Sequence, residues 1–443
     1  MTQNSNYHLL LMYKFGLVVF LGIAVCLFDT QQVRAVDEYD QEPINYHSAE
    51  INDVIVDLQK KINDGTVVLE HDEKNGYLRS VLKHLNVPVS SQVLVFSKTS
   101  LQQAHISPRQ PRAMYFNDDV YIGWVQNSDL MEISSVDPKK GAIFYSLEHH
   151  KKTKPLFVRH TGRCLLCHGS SHTRNVPGHL VRSVYPDTSG MPLFGAGTFL
   201  TDHSSPLKER WGGWYVTGTH GKQTHMGNML VRDKYRPDQF DAAAGANVTD
   251  LSDYFRTEKY PTGYSDIVAL MVLEHQSQMH NKLTLSNYQG QLALRDQKIL
   301  NKLDKIPAEE ERASTKRRFE HAAEAVVKYM LFTDEIKLTD TVRGTSGYTK
   351  DFESLGPFDR QGRTLRKLDL KTRLFKYPCS FLIYSKGFEG IPQNVKVRVY
   401  RRLFEILTGE DQSEEYDHLT QADRKNIYEI LRDTKPDLPK YWK

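Results

Sequence analysis

Apolar residues recur at helical spacing in the stretch 51–85, first as Val54, Ile55, Leu58 and Ile62, then as Leu78, Val81, Leu82 and Leu85. That period gathers them on one face, so one or two short helices are expected there. From Val93 the pattern changes. Residues 113–116, 120–125, 130–133 and 142–147 are aromatic and β-branched, and Asn117-Asp118-Asp119, Asn127-Ser128-Asp129 and Asp137-Pro138-Lys139-Lys140-Gly141 divide them. Such runs between turn residues predict an antiparallel meander. From about residue 159 to 228 Gly, His, Thr and Pro dominate and helix formers are scarce. Irregular backbone of that length is functional or wrapped around something.

After Ser265 a helical period holds from 267 to 303 with no Pro and only Gly290, and Ser265 or Asp266 suits the N-cap. A second helix is expected over 308–332. The block 379–384 reads as a buried strand or the start of a helix. Two shorter helices, 395–407 and 421–432, close the chain, the latter led by Thr420 with Asp423 in its first turn. The fold class expected is α+β: a β-rich N-terminal half with an irregular loop region, packed against long helices of the C-terminal half. The regions run 36–262 and 263–443.

The first 35 residues read as an address. Apart from Lys14 the chain is apolar from Leu9, and the run 17–28 is followed by polar residues and Val33-Arg34-Ala35. This pattern predicts a secretory signal peptide cleaved after Ala35. An uncleaved anchor is the alternative, but the run is shorter than the roughly 20 apolar residues that span a bilayer. A lipoprotein reading through Cys26 meets Val25 where a small residue is usual. The body is expected to be periplasmic or otherwise exported, with no membrane span after cleavage.

Composition narrows the class. The chain has 443 residues, 39% hydrophobic and 25% charged, which supplies apolar material for two ordinary cores. Its 58 basic and 54 acidic residues are interspersed and leave +4, so no nucleic-acid partner is expected. Four Cys are too few for a disulfide-stapled scaffold, and two of them fall within five residues.

Those two belong to Cys164-Leu165-Leu166-Cys167-His168, the Cys-x-x-Cys-His attachment signature of c-type haem. Two thiols at this spacing add across the two vinyl groups of one porphyrin edge, and the adjacent imidazole reaches back to the iron. Shuffling 4 Cys and 18 His through the chain yields the pattern about once in a thousand sequences. A zinc site would need a second ligand pair at regular spacing, and only scattered histidines follow. A thioredoxin-like redox pair would open a helix after a strand, and Gly169-Ser170-Ser171 does not begin one. With the pair consumed as thioethers, Cys379 is left as a buried free thiol.

On these residues the sequence resembles the cytochrome c family. A weaker likeness lies in Val176-Pro177-Gly178-His179-Leu180, similar to the Pro-containing loop that offers a carbonyl to the axial His. The resemblance implies one covalent haem c on Cys164 and Cys167, His168 as proximal iron ligand, and the Pro177 carbonyl as the partner of its second nitrogen. It covers some seventeen residues. The chain departs from the family in its length and in lacking an obvious helix before the Cys pair. Runs such as Arg210-Trp211-Gly212-Gly213-Trp214 look like those of large bacterial proteins known only as cytochrome c domain-containing.

In that family a distal Met follows the axial His by about sixty residues, and Met226 and Met229 lie 58 and 61 positions beyond His168. Met226 is taken as the distal ligand. His220 and His225 are alternatives, as are His275 and Met279, which share a face of the long helix with Glu274 and His280 flanking it. The plain reading of that face is ordinary core. Trp211, Trp214 and Tyr215 also read as core that could wall a haem. Asp118-Asp119 reads as a turn, and Lys316-Arg317-Arg318 and Arg401-Arg402 as solvated helix faces.

The function expected is one-electron transfer in the periplasm with a redox partner protein. The alternative is an oxidase- or peroxidase-like haem enzyme, or a haem-based sensor, with an open or weak sixth iron position.

Overall fold

In the computed structural model, which describes residues 38–443, the first long element is a helix set by its cap. The expected signal peptide and its expected cleavage site after Ala35 fall outside the described residues. The Asp53 carboxylate accepts from the N–H groups of Ile55 and Val56 at 3.0 and 2.9 Å, and α1 runs Val54–Asn63. A second short helix, α2, covers Leu78–His84. Both bury the apolar faces read from their period, including Ile55, Leu58, Ile62, Leu78, Val81 and Leu82.

The meander forms as expected and gains strands at both edges. β1 (Val93–Val95), β2 (Arg112–Phe116), β3 (Val120–Trp124), β4 (Leu130–Asp137), β5 (Gly141–Glu148) and β6 (Phe157–His160) pair in sequence order, antiparallel throughout. The far edge beside β1 is filled by a distant strand of Trp214–Tyr215. Strand parity then sorts the side chains. Tyr115, Ile122, Trp124, Ile133 and Tyr145 join the core under α1 and α2, while Val93, Val95, Phe116 and Tyr121 join the core built by the C-terminal helices. The sheet is therefore covered on both faces.

Between β6 and the long helix the chain is mostly irregular, as its composition predicts. It holds a single turn, α3 (Leu165–His168), and a ribbon of β7 (Arg182–Val184) and β8 (Thr198–Leu200), before β9 (Trp214–Tyr215) returns to the sheet.

The long helix α4 spans Ile267–Asp304. Of the two cap residues the pattern allowed, Asp266 is the one used; its Oδ1 accepts from Val268 and Ala269, and its Oδ2 from the N–H groups of Thr345 and Ser346. The next helix, α5, covers Ala313–Met330 and starts later than the apolar period suggests. Lys305 ends α4 in the left-handed region, and the Asn301 amide donates to the carbonyls of Pro307 and Glu310, so the connection is held as a loop. Residues Phe381–Tyr384 form a 3-10 turn rather than a strand. Helices α6 (Gln393–Thr408) and α7 (Gln421–Thr434) follow, α7 opening with a Thr420–Asp423 capping box.

The architecture is α+β, with the β-rich N-terminal half and the helical C-terminal half joined in one compact unit from Glu38 to Lys443. Among the described residues no helix is long and apolar enough to cross a membrane.

Candidate functional site

Strand β6 ends at His160, and four residues later the chain tightens into the turn that carries the Cys-x-x-Cys-His motif. The N–H of His168 donates to the Cys164 carbonyl at 2.9 Å, so one helical turn sets the two sulfurs and the imidazole on a common scaffold. Cys164 is half-buried, Cys167 is exposed, and both are free thiols. Burial first, and the nearby Glu132 carboxylate second, push the Cys164 thiol above its ordinary pKa.

The His168 ring is oriented by the chain. Its Nδ1 lies 2.9 Å from the Gly178 carbonyl oxygen, which makes Nδ1 the protonated donor and leaves Nε2 with its lone pair and no hydrogen bond among the described residues. The resemblance had assigned this role to the Pro177 carbonyl, and the structure corrects it by one residue. Pro177 offers its carbonyl to the sheet instead, accepting from the Ala142 N–H at 3.1 Å. Burial lowers the His168 pKa, against the raising effect of the Gly178 carbonyl.

Helix α4 fixes that carbonyl. The Asn281 amide clamps the next residue on both sides, accepting from the His179 N–H at 2.9 Å and donating to the His179 carbonyl at 2.7 Å. Only glycine fits at 178, because a Cβ there would lie 2.1 Å from Asn281 Oδ1. Gly141, at φ 74°, sits where three segments meet. A Cβ on it would fall 2.7 Å from the Pro177 carbonyl and 2.5 Å from Thr284 of α4. The loop is irregular in backbone yet held by sheet and helix together.

Around His168 stand groups that its sequence neighbours did not reveal. The Phe144 ring lies 4.9 Å away, and Arg112, Glu132 and Arg182 are close enough to act on its charge. Arg112 pairs with Glu132 at 2.6 Å and lies over Gly123, whose missing side chain makes room for the guanidinium. The Trp214 indole donates to the Arg182 carbonyl at 2.9 Å. The Nε atoms of both arginines are buried and without a partner. These donors fit a haem. Two thiols and a correctly tautomerised imidazole match its edge and its iron, and two guanidinium groups with unused N–H capacity match its carboxylates.

The other ligand candidates have engagements of their own. Met226 is buried, its sulfur accepts from Ser183 Oγ at 3.6 Å, and its methyl packs beneath Gly212. His220 Nε2 accepts from the Asn247 N–H, and His225 Nδ1 from the Gly227 N–H. His275 uses both nitrogens: Nδ1 meets His203 Nδ1 at 2.9 Å and Nε2 meets Ser380 Oγ at 2.8 Å. Glu274 is fully buried against Arg210 at 3.0 Å, and burial raises its pKa to about 7 although Arg210 opposes the shift. His280 Nε2 donates to the Asp118 backbone carbonyl at 2.7 Å. Met279 is core.

Trp211, Trp214, Tyr215 and Cys379 are buried, as the pattern indicated. Asp118 does turn the chain between β2 and β3, and also holds Arg366 with both oxygens. Arg318 and Arg402 pair with carboxylates on helix faces.

In comparisons with known proteins, no family model, no curated protein and no solved structure matches this chain.

Proposed function

We propose that this protein is an exported c-type haem protein that carries out one-electron transfer through a single haem attached to Cys164 and Cys167, with His168 as the proximal ligand and a redox partner protein in the periplasm. The observation that carries the reading is the His168 Nδ1–Gly178 carbonyl hydrogen bond beside two free thiols. When bound, haem c supplies a one-electron couple between ferric and ferrous iron.

The chain's own residues do the rest. The Gly178 carbonyl keeps the proton on Nδ1, which raises the basicity of Nε2 and fixes the ring plane. Asn281 keeps that carbonyl in place. Glu132 offsets the charge of Arg112, so Arg182 is the uncompensated cation acting on His168, and positive charge there favours the ferrous over the ferric state, while the Phe144 ring borders the imidazole. Met226 is the proposed distal ligand. Its bond from Ser183 favours the second reading, a haem enzyme or sensor with a weak sixth position.

The test is expression of the full chain in cells competent for haem attachment. The secreted protein should gain the mass of one haem and show a thioether-type pyridine haemochrome, and Cys164→Ala with Cys167→Ala should abolish both. A colourless product at apopeptide mass overturns the proposal. A low-spin ferrous spectrum indifferent to carbon monoxide supports electron transfer; rapid binding of the gas supports the enzyme or sensor.

A further inference from the structure

A cavity of about 340 Å³ opens between Arg174 of the irregular loop, α4 and α5. That volume is in the range of small-molecule sites. One face of α5 lines it with His321, Glu324, Lys328 and Tyr329; Lys282 comes from α4 and Arg174 from the loop.

Its charges do not cancel internally. Lys328 is engaged outward with Glu415 at 2.6 Å, and Glu324 is engaged by Arg402 and by the Tyr416 hydroxyl. Asp334 stands exposed on the rim. Arg174, likewise exposed, and Lys282 form no ion pair among the described residues, although Asp202 is near enough to act on Lys282. Each acts on the other as a like charge, and burial together with Arg174 lowers the Lys282 pKa despite Asp202. Thr333 also lines the cavity, and its Oγ1 is buried just behind that lining without a partner. Tyr329 supplies a firm floor. Its ring stacks on His203 at 4.2 Å, and the Lys282 ammonium sits 5.7 Å from its centre.

Two cations that repel each other, a spare hydroxyl and a fixed aromatic floor form a receptor for negative charge. We propose that this cavity binds a small dianion, a phosphate-class oxyanion or a short dicarboxylate, between Arg174 and Lys282, with the Thr333 hydroxyl as a third donor. Binding there needs no haem and does not rest on the electron-transfer reading.

The test is calorimetric titration of the full-length mature protein with inorganic phosphate, sulfate and succinate at constant ionic strength, with chloride as the control. Saturable one-site binding of phosphate, sulfate or succinate, absent with chloride, is expected, and the anion that binds tells oxyanion from dicarboxylate. Lys282→Gln and Arg174→Gln should each weaken it by about tenfold or more. Thr333→Val, nearly the same shape, should weaken it by about threefold. Lys298→Gln, an exposed residue elsewhere on α4, should leave it unchanged. No saturation with any of the dianions overturns the proposal, as does binding that survives both Lys282→Gln and Arg174→Gln in folded variants.

Discussion

His168 and His275 sit in the two halves of the molecule, one in an irregular loop and one on its longest helix, and both are plausible metal ligands on sequence alone. In the loop, one ring nitrogen is bonded to a carbonyl and the other is left with its lone pair. In the helix, both nitrogens are bonded, and aromatic rings of Tyr329 and Phe332 stack over the imidazole at 5.4 and 4.3 Å. The same side chain is a ligand-ready group in one setting and a core hydrogen-bonding group in the other. What separates them is how many of their polar atoms the fold has already satisfied.

The largest test of this contrast is in the helical half. Arg210→Met leaves Glu274 buried without its partner, and a loss of about 3–5 kcal/mol of stability is expected in denaturant titration. His275→Ala should cost about 2–4 kcal/mol, since it opens a cavity and strands His203 and Ser380, while leaving the visible spectrum of a haem-loaded protein unaltered. A changed spectrum would place His275 at the iron and erase the distinction.

In the loop half the balance reverses. Asn281→Ala should cost only about 1–2 kcal/mol of stability, yet shift the iron spectrum and weaken axial ligation by roughly 10–100-fold, because the Gly178 carbonyl loses its anchor. An unchanged spectrum would show that the carbonyl is held well enough without α4.

The smallest effects are in pH dependence. His280 is held neutral, its pKa lowered to about 4 by burial, so its contribution is present above the unfolded value near 6.5 and is lost as pH falls toward 4. Glu274, raised to about 7, contributes stability below the unfolded value near 4.5 that is lost as pH rises to 7. Thermal midpoints of His280→Gln and Glu274→Gln should therefore tilt in opposite directions relative to the parent, the first flatter on the acid side and the second flatter between pH 4.5 and 7.

The sequence carried the periodic parts of the fold well. The meander strands, the α4 bounds and the Thr420 cap follow from local patterns that the final packing did not override. The start of α5 was misplaced because Ala308 and its neighbours have helical composition but their carbonyls are tied down by the Asn301 side chain, a contact that hydrophobic periodicity does not report. The candidate site was legible as a motif where its residues are contiguous, at 164–168. The assignment to Pro177 failed by one residue because which carbonyl faces the imidazole depends on Ala142 and Asn281, which lie 35 residues upstream and 104 residues downstream of it. Arg112, Glu132, Phe144 and Arg182 were invisible for the same reason: sheet register and the β7–β8 ribbon bring them to His168. The turn at Asp118-Asp119 was recognisable, but its guanidinium partner Arg366 was not.

The crowded position at Gly141 limits what can be transplanted from this protein. Because one backbone site is wedged between the Cys-His loop, a sheet hairpin and the long helix, a larger residue at 141 would push on all three at once. The five-residue motif is thus not a portable cassette: grafted elsewhere without this hairpin and this helix, it would lack the seat that presents a carbonyl to the imidazole.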